Sequence, residues 1–104
     1  MRLNEVAEVL KIRGNSSDMV SNKHDIVLKI KGYKEDIGMF GICATTEMFG
    51  SKYAIIRCFT TNHVKYVYGY LCELDYTPFI KRGKLDTNKL MELEIGEVAE
   101  MVIG

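Results

Sequence analysis

Apolar and polar residues alternate most cleanly in "DIVLKIK", residues 25–31. Ile26, Leu28 and Ile30 fall on one side, and Val27, Lys29 and Lys31 on the other. Successive side chains of a strand point to opposite faces, so this stretch is expected to be a half-buried strand with two lysines outward. "KYAIIRCF", residues 52–59, is rich in β-branched and aromatic residues and is the clearest strand in the chain. Between them "DIGMFGICA", residues 36–44, reads as a strand weakened by Gly38 and Gly41. Three successive strands with short connections predict an antiparallel meander.

The period changes after residue 60. Val64, Val67, Tyr68, Leu71 and Leu74 recur at helical spacing, with Lys65, Gly69 and Glu73 opposite. A strand over the same residues would leave its second face a mixture of charged and apolar groups. A helix over 62–74 separates them, with Thr61 or Asn62 as its cap. Pro78 then forces Thr77 into an extended conformation, and a short strand over 77–81 follows. Asp86 or Thr87 is positioned to cap a last helix carrying Met91 and Ile95, with Val98 and Val102 continuing its spacing.

The N-terminus is less decided. Leu3, Val6, Ala7 and Leu10 lie at helical spacing behind Asn4, a good cap, so a helix is expected; a strand through "VAEVLKIR" is the rival. Residues 14–25 form a polar, turn-rich linker. The fold class expected is a single α+β domain: an antiparallel sheet of about four strands with helices packed on one face.

At 104 residues the chain suits one domain with one core. No apolar run is long enough to span a bilayer, and the N-terminus mixes charges into its apolar residues instead of forming a signal sequence. A soluble cytoplasmic protein without membrane contact is therefore expected. Cys43, Cys58 and Cys72 sit among apolar neighbours with no C-x-x-C pair, which predicts buried reduced thiols. His24 and His63 supply no paired ligand spacing, so neither a metal site nor a cofactor is expected.

Charge sharpens the picture. The net charge is zero, yet residues 1–89 hold all 14 basic side chains, and residues 90–104 hold Glu92, Glu94, Glu97 and Glu100 with no base. Two segments are locally basic, 23–34 and 81–89. Lys29, Lys31, Lys81, Arg82 and Lys84, with Tyr76 and Phe79 as aromatic platforms, are the residue types that single-stranded nucleic acid requires. Against that stands the neutral chain, so nucleic acid is possible but not the favoured partner.

Two other stretches carry candidate chemistry. "CFTTNH" lies at the expected strand-to-helix junction, where Thr60, Thr61, Asn62 and His63 would add donors for an anion to the free N–H groups of a helix start. Cys58 and His63 share that junction, but sequence spacing alone does not make a nucleophile–base pair. "MFG" occurs at 39–41 and again at 48–50, the second time in a connection where polar residues are expected. Met48 and Phe49 either tuck onto the core or contact a partner. No catalytic constellation is evident.

The leading expectation is a non-catalytic protein-binding or regulatory protein whose partner the sequence does not identify. A modulator of a host protein carried by a phage or mobile element would suit the size. A homodimer is expected through Met48 and Phe49, with the acidic Glu92, Glu94 and Glu97 lying against a basic segment of the second copy. The alternatives are a nucleic-acid binder and a small anion- or nucleotide-binding domain or enzyme centred on 60–63.

Overall fold

The computed structural model describes residues 1–12 and 19–95. In chain order these form strands β1 (Ala7–Lys11), β2 (Met19–Val20), β3 (Ile26–Lys29), β4 (Gly38–Ile42), β5 (Met48–Phe49) and β6 (Tyr53–Cys58). Helix α1 (Val64–Glu73), strands β7 (Ile80–Lys81) and β8 (Lys84–Leu85), and the short helix α2 (Thr87–Met91) follow. Single 3-10 turns precede β1, β4, α1 and β7.

The fold is α+β. An antiparallel four-stranded sheet runs in the order β1-β6-β3-β4. It is not a meander. β3 and β4 form a hairpin, and the chain then returns across the sheet to place β6 on the other side of β3. β6 lies at the centre of the sheet, where a strand buries both faces. Ala54, Ile55 and Ile56 are all fully buried there.

The N-terminal segment corrects the helix expectation. After a 3-10 turn at Leu3–Glu5, residues 7–11 pair with β6 from Ala7↔Cys58 to Lys11↔Ala54. An isolated helix this short is marginal in water. The strand instead gains a full ladder against a central strand whose backbone groups on that side would otherwise lie unpaired. Leu3, Val6 and Ala7 are buried in either arrangement, which is why spacing alone did not separate them.

The helical face of the sheet carries the core. Ala7, Ile26, Leu28, Ala54 and Ile56 meet Val64, Val67 and Leu71 of α1 and Leu90 and Met91 of α2. The stripe foreseen over 62–74 forms a 3-10 turn at Thr61–His63 running into α1, which ends at Glu73. Neither Thr61 nor Asn62 caps it through a side chain; the chain enters α1 through the 3-10 turn. The strand expected over 77–81 is mostly a 3-10 turn, Thr77–Phe79, and only Ile80–Lys81 pairs as strand. Pro78 sits in that turn, where its missing N–H costs nothing. Asp86 caps α2 by accepting from the Lys89 amide at 3.1 Å.

Gly38 has φ +141°, and a Cβ there would lie 3.0 Å from the Tyr76 ring. Tyr76 is itself anchored by donating its hydroxyl to the Leu71 carbonyl at 2.6 Å. Arg82 and Gly83, both with positive φ, make the two-residue turn between β7 and β8.

Residues 1–3 and 93–95 lie side by side. Leu3 donates to the Leu93 carbonyl and Ile95 to the Met1 carbonyl, at 2.9 and 2.8 Å. The hydroxyls of Tyr66 and Tyr70 donate to the carbonyls of Ile95 and Glu94. Residues 93–95 are thus pinned to their own chain. Val98, Val102 and the spacing they continue lie outside the described residues. Among the described residues no helix is long and apolar enough to cross a membrane.

Candidate functional site

The sheet face away from the helices carries the distinctive groups. Register places Val27, Lys29, Tyr53, Ile55 and Arg57 on that face, since Val27 opposes Ile55 and Lys29 opposes Tyr53. The connection from β4 to β6 crosses here, and its β5 pairs with β2 as Met19↔Phe49 and Val20↔Met48. The Phe49 ring packs 5.6 Å from Tyr53 and 6.2 Å from Phe40, and Phe40 lies 5.0 Å from Tyr53. Val27 and Ile55 are buried although no helix among the described residues covers their side of the sheet. A segment that crosses an apolar sheet face has to carry apolar side chains, which accounts for "MF" in a connection.

The second "MF" pair therefore divides. Phe49 turns onto its own sheet and is half-buried. Met48 is 67% exposed, beside Val20 at 52%. Phe40, at 58%, and Ile42 are the exposed apolar residues of the edge strand β4. Cys43 links these groups. It follows Ile42, its amide donates to the Asp25 carbonyl at 2.8 Å, and its thiol lies beside Ser21 and Glu47. Ser21 and Glu47 in turn flank Val20 and Met48 and exchange two hydrogen bonds of 2.8 and 3.0 Å. Val20 and Met48 are thereby neighbours on the ribbon, whereas Ile42, opposite Ile26, lies on the helix side of the edge strand.

At the β6 C-terminal end of this face the charges are matched. Arg57 donates from Nε and Nη2 to the Asp25 carboxylate at 3.0 and 2.7 Å, and Glu8 opposes Arg57 on β1. Asp25 also accepts from the Asn22 amide at 2.7 Å. The bond to Asp25 raises the Arg57 pKa above its ordinary value.

The opposite end differs. Lys81 directly opposes Lys84 across the β7–β8 hairpin, and Lys84 opposes Lys31. The hairpin is tied to the end of β3 by Leu85 donating to the Ile30 carbonyl at 2.8 Å and Gly32 to the Gly83 carbonyl at 3.1 Å. The two basic segments, fifty residues apart in sequence, are thus brought together. Lys29 reaches toward Gly32, and Arg82 stands at the hairpin tip. The aromatic platforms expected beside these lysines are not available, because Tyr76 and Phe79 are buried in the core. Tyr33 is exposed two residues after Lys31, and Tyr53, opposite Lys29, packs against Phe40, a neighbour that only the sheet supplies.

The junction at 60–63 is less endowed. Thr60, Thr61 and Asn62 are exposed and His63 half-buried, its Nδ1 buried with no hydrogen-bond partner. A shallow hollow of about 180 Å³ beside it is lined by His24, Asp25, Arg57, Cys58 and Thr61. Its one guanidinium is committed to Asp25. Burial pushes the Cys58 thiol up to about 11, the opposite of what a nucleophilic thiolate requires. Burial also raises the Cys43 pKa. Cys72 departs from the buried expectation and is exposed on α1.

Of the acidic residues, Glu94 accepts from the N-terminal amine at 2.7 Å and lies 4.0 Å from Arg2. That hydrogen bond holds its carboxyl below the usual range. Glu92 is exposed, and Glu97 lies outside the described residues. No group of His, Cys, Asp and Glu among the described residues is arranged to hold a metal ion. No protein-family model matches the chain, and no curated protein is detectably similar to it.

Proposed function

We propose that this protein is a non-catalytic binding module that acts through protein contact, with a second copy of itself as the first partner. The observation that supports it is the apolar pair Val20 and Met48 on the β2–β5 ribbon, left open to solvent beside the apolar edge strand β4. Isolated exposed apolar residues are ordinary; neighbouring ones on a β-ribbon and an edge strand suit an interface. β4 also favours pairing, because "GMFGI" contains no charge and no proline, the usual protections of an edge strand. Two such strands related by a two-fold axis meet without like-charge repulsion. The cis pairing of Glu94 narrows the part left to the acidic residues, so the apolar groups carry the contact.

Sedimentation at micromolar concentration tests this. A dimer is expected, and Val20→Ser/Met48→Ser should dissociate it with the unfolding midpoint preserved. Phe49 is unsuitable for the test because its ring packs in cis. A monomer at these concentrations refutes self-association. A dimer that survives the double substitution refutes this surface.

A further inference from the structure

The structure points to a single-stranded nucleic acid as the ligand of a second surface, and we infer that the lysine row Lys81–Lys84–Lys31, with Lys29 and Phe40, forms its binding track. The lysine row lies at the other end of the sheet face from the Val20–Met48 contact, and the two surfaces meet only at β4, through Phe40.

The row is the carrying observation. Directly opposed residues in antiparallel pairs point to the same side, so Lys81, Lys84 and Lys31 form three successive rungs of like charge. Like charges directly opposite one another destabilise a sheet. At the other end of the same face the corresponding row reads Glu8, Arg57, Asp25 and alternates in sign. The fold therefore accommodates paired charge where it can and leaves one row unmatched. None of Lys29, Lys31, Lys81, Arg82 and Lys84 forms an ion pair among the described residues. Adjacent strands are about 4.8 Å apart, inside the Debye length of about 8 Å at physiological salt, so an anion near the central Lys84 feels all three. A polyanion relieves the repulsion that the fold itself does not.

The aromatic groups decide the kind of polyanion. Lys29 opposes Tyr53, whose ring meets the 58%-exposed Phe40 at 5.0 Å. Tyr33, 77% exposed, follows Gly32, the residue tied to the hairpin turn. Unstacked bases need such ring faces beside a cationic track, whereas a duplex or a lipid surface needs only the charge. The zero net charge does not oppose this, because five of the 14 basic side chains, Lys29, Lys31, Lys81, Arg82 and Lys84, are gathered at one end of the molecule.

Fluorescence anisotropy with a labelled oligothymidylate of about 12 nucleotides tests the inference. Binding at about 50 mM salt should weaken with salt on a log–log slope of about −2 to −3, corresponding to three or four phosphate contacts. Lys31→Gln/Lys84→Gln should reduce that slope by about 1.4 while leaving the melting temperature equal or higher. Lys65→Gln, on exposed α1, should change neither. Phe40→Ala should weaken binding about 5- to 150-fold, and Tyr33→Ala repeats the test should Phe40→Ala unfold the protein. Absence of binding up to about 100 µM overturns the inference, as does binding indifferent to the lysine pair. Equal affinity for duplex without an effect of either aromatic substitution, or binding of phosphatidylserine vesicles in place of the oligonucleotide, overturns the assignment to single strands.

Discussion

Arg57 and Asp25 give a sharp test of the helix-free face, because the two partners are unequally buried. The Asp25 side chain is 4% exposed and that of Arg57 32%. Arg57→Met keeps the apolar stem but leaves a buried carboxylate with only the Asn22 amide as partner. Removing one partner of a buried pair typically costs about 3–5 kcal/mol, and this substitution should fall in that range. Asp25→Ala removes the same charge-assisted bonds, but the freed guanidinium can turn toward water. Its cost should be nearer the value of one such bond, about 2 kcal/mol. The double variant should be less destabilised than the sum, with a coupling of at least about 1 kcal/mol. Urea unfolding at constant m-value reads all four proteins of the cycle. Equal losses, a larger loss for Asp25→Ala, or strict additivity would refute the reasoning and reduce the pair to an ordinary surface contact.

Three further outcomes are expected. Leu71→Ala should cost about 2–5 kcal/mol and the exposed Lys65→Ala no more than about 0.5 kcal/mol by the same urea assay; similar losses would contradict the buried face of α1. Gly38→Ala should cost about 1–3 kcal/mol through its positive φ and the Tyr76 ring, whereas Gly41→Ala, with open space around its Cβ, should stay within about 0.5 kcal/mol. A thiol reagent should modify Cys72 quickly in the folded protein and the half-buried Cys58 more slowly, with Cys43 protected until it unfolds. The raised Cys58 pKa adds a pH signature: its favoured neutral form stabilises the fold fully below about 9, and that contribution is lost as pH rises through about 11. A Cys58→Ala variant should lack this part of the alkaline decline in a melting-temperature profile.

Local pattern alone determined the elements whose periodicity had one solution. Ile26–Lys29, Tyr53–Cys58 and the stripe from Val64 to Leu71 followed from residue spacing, and Asp86 from its capping chemistry, because each is decided within a few residues. The α+β class followed from those elements. Tertiary structure decided the N-terminal segment, where Leu3, Val6 and Ala7 are buried as helix or strand and only the unpaired side of β6 distinguishes the two. It also decided strand order. Nothing local tells β4 to take the edge and β6 the centre, and that crossing is what brings Phe49 against Phe40 and Tyr53. Met48 and Phe49 were both visible in the sequence, but which of them faces solvent depended on the alternation of a two-residue strand, set by its pairing with Met19 and Val20. The lysine row depended on tertiary structure most of all. Lys31 and Lys84 are each unremarkable surface residues in their own segments, and they become a like-charged rung only when the hairpin docks on the end of β3. Long-range register is a property of the whole sheet, and no window along the chain contains it.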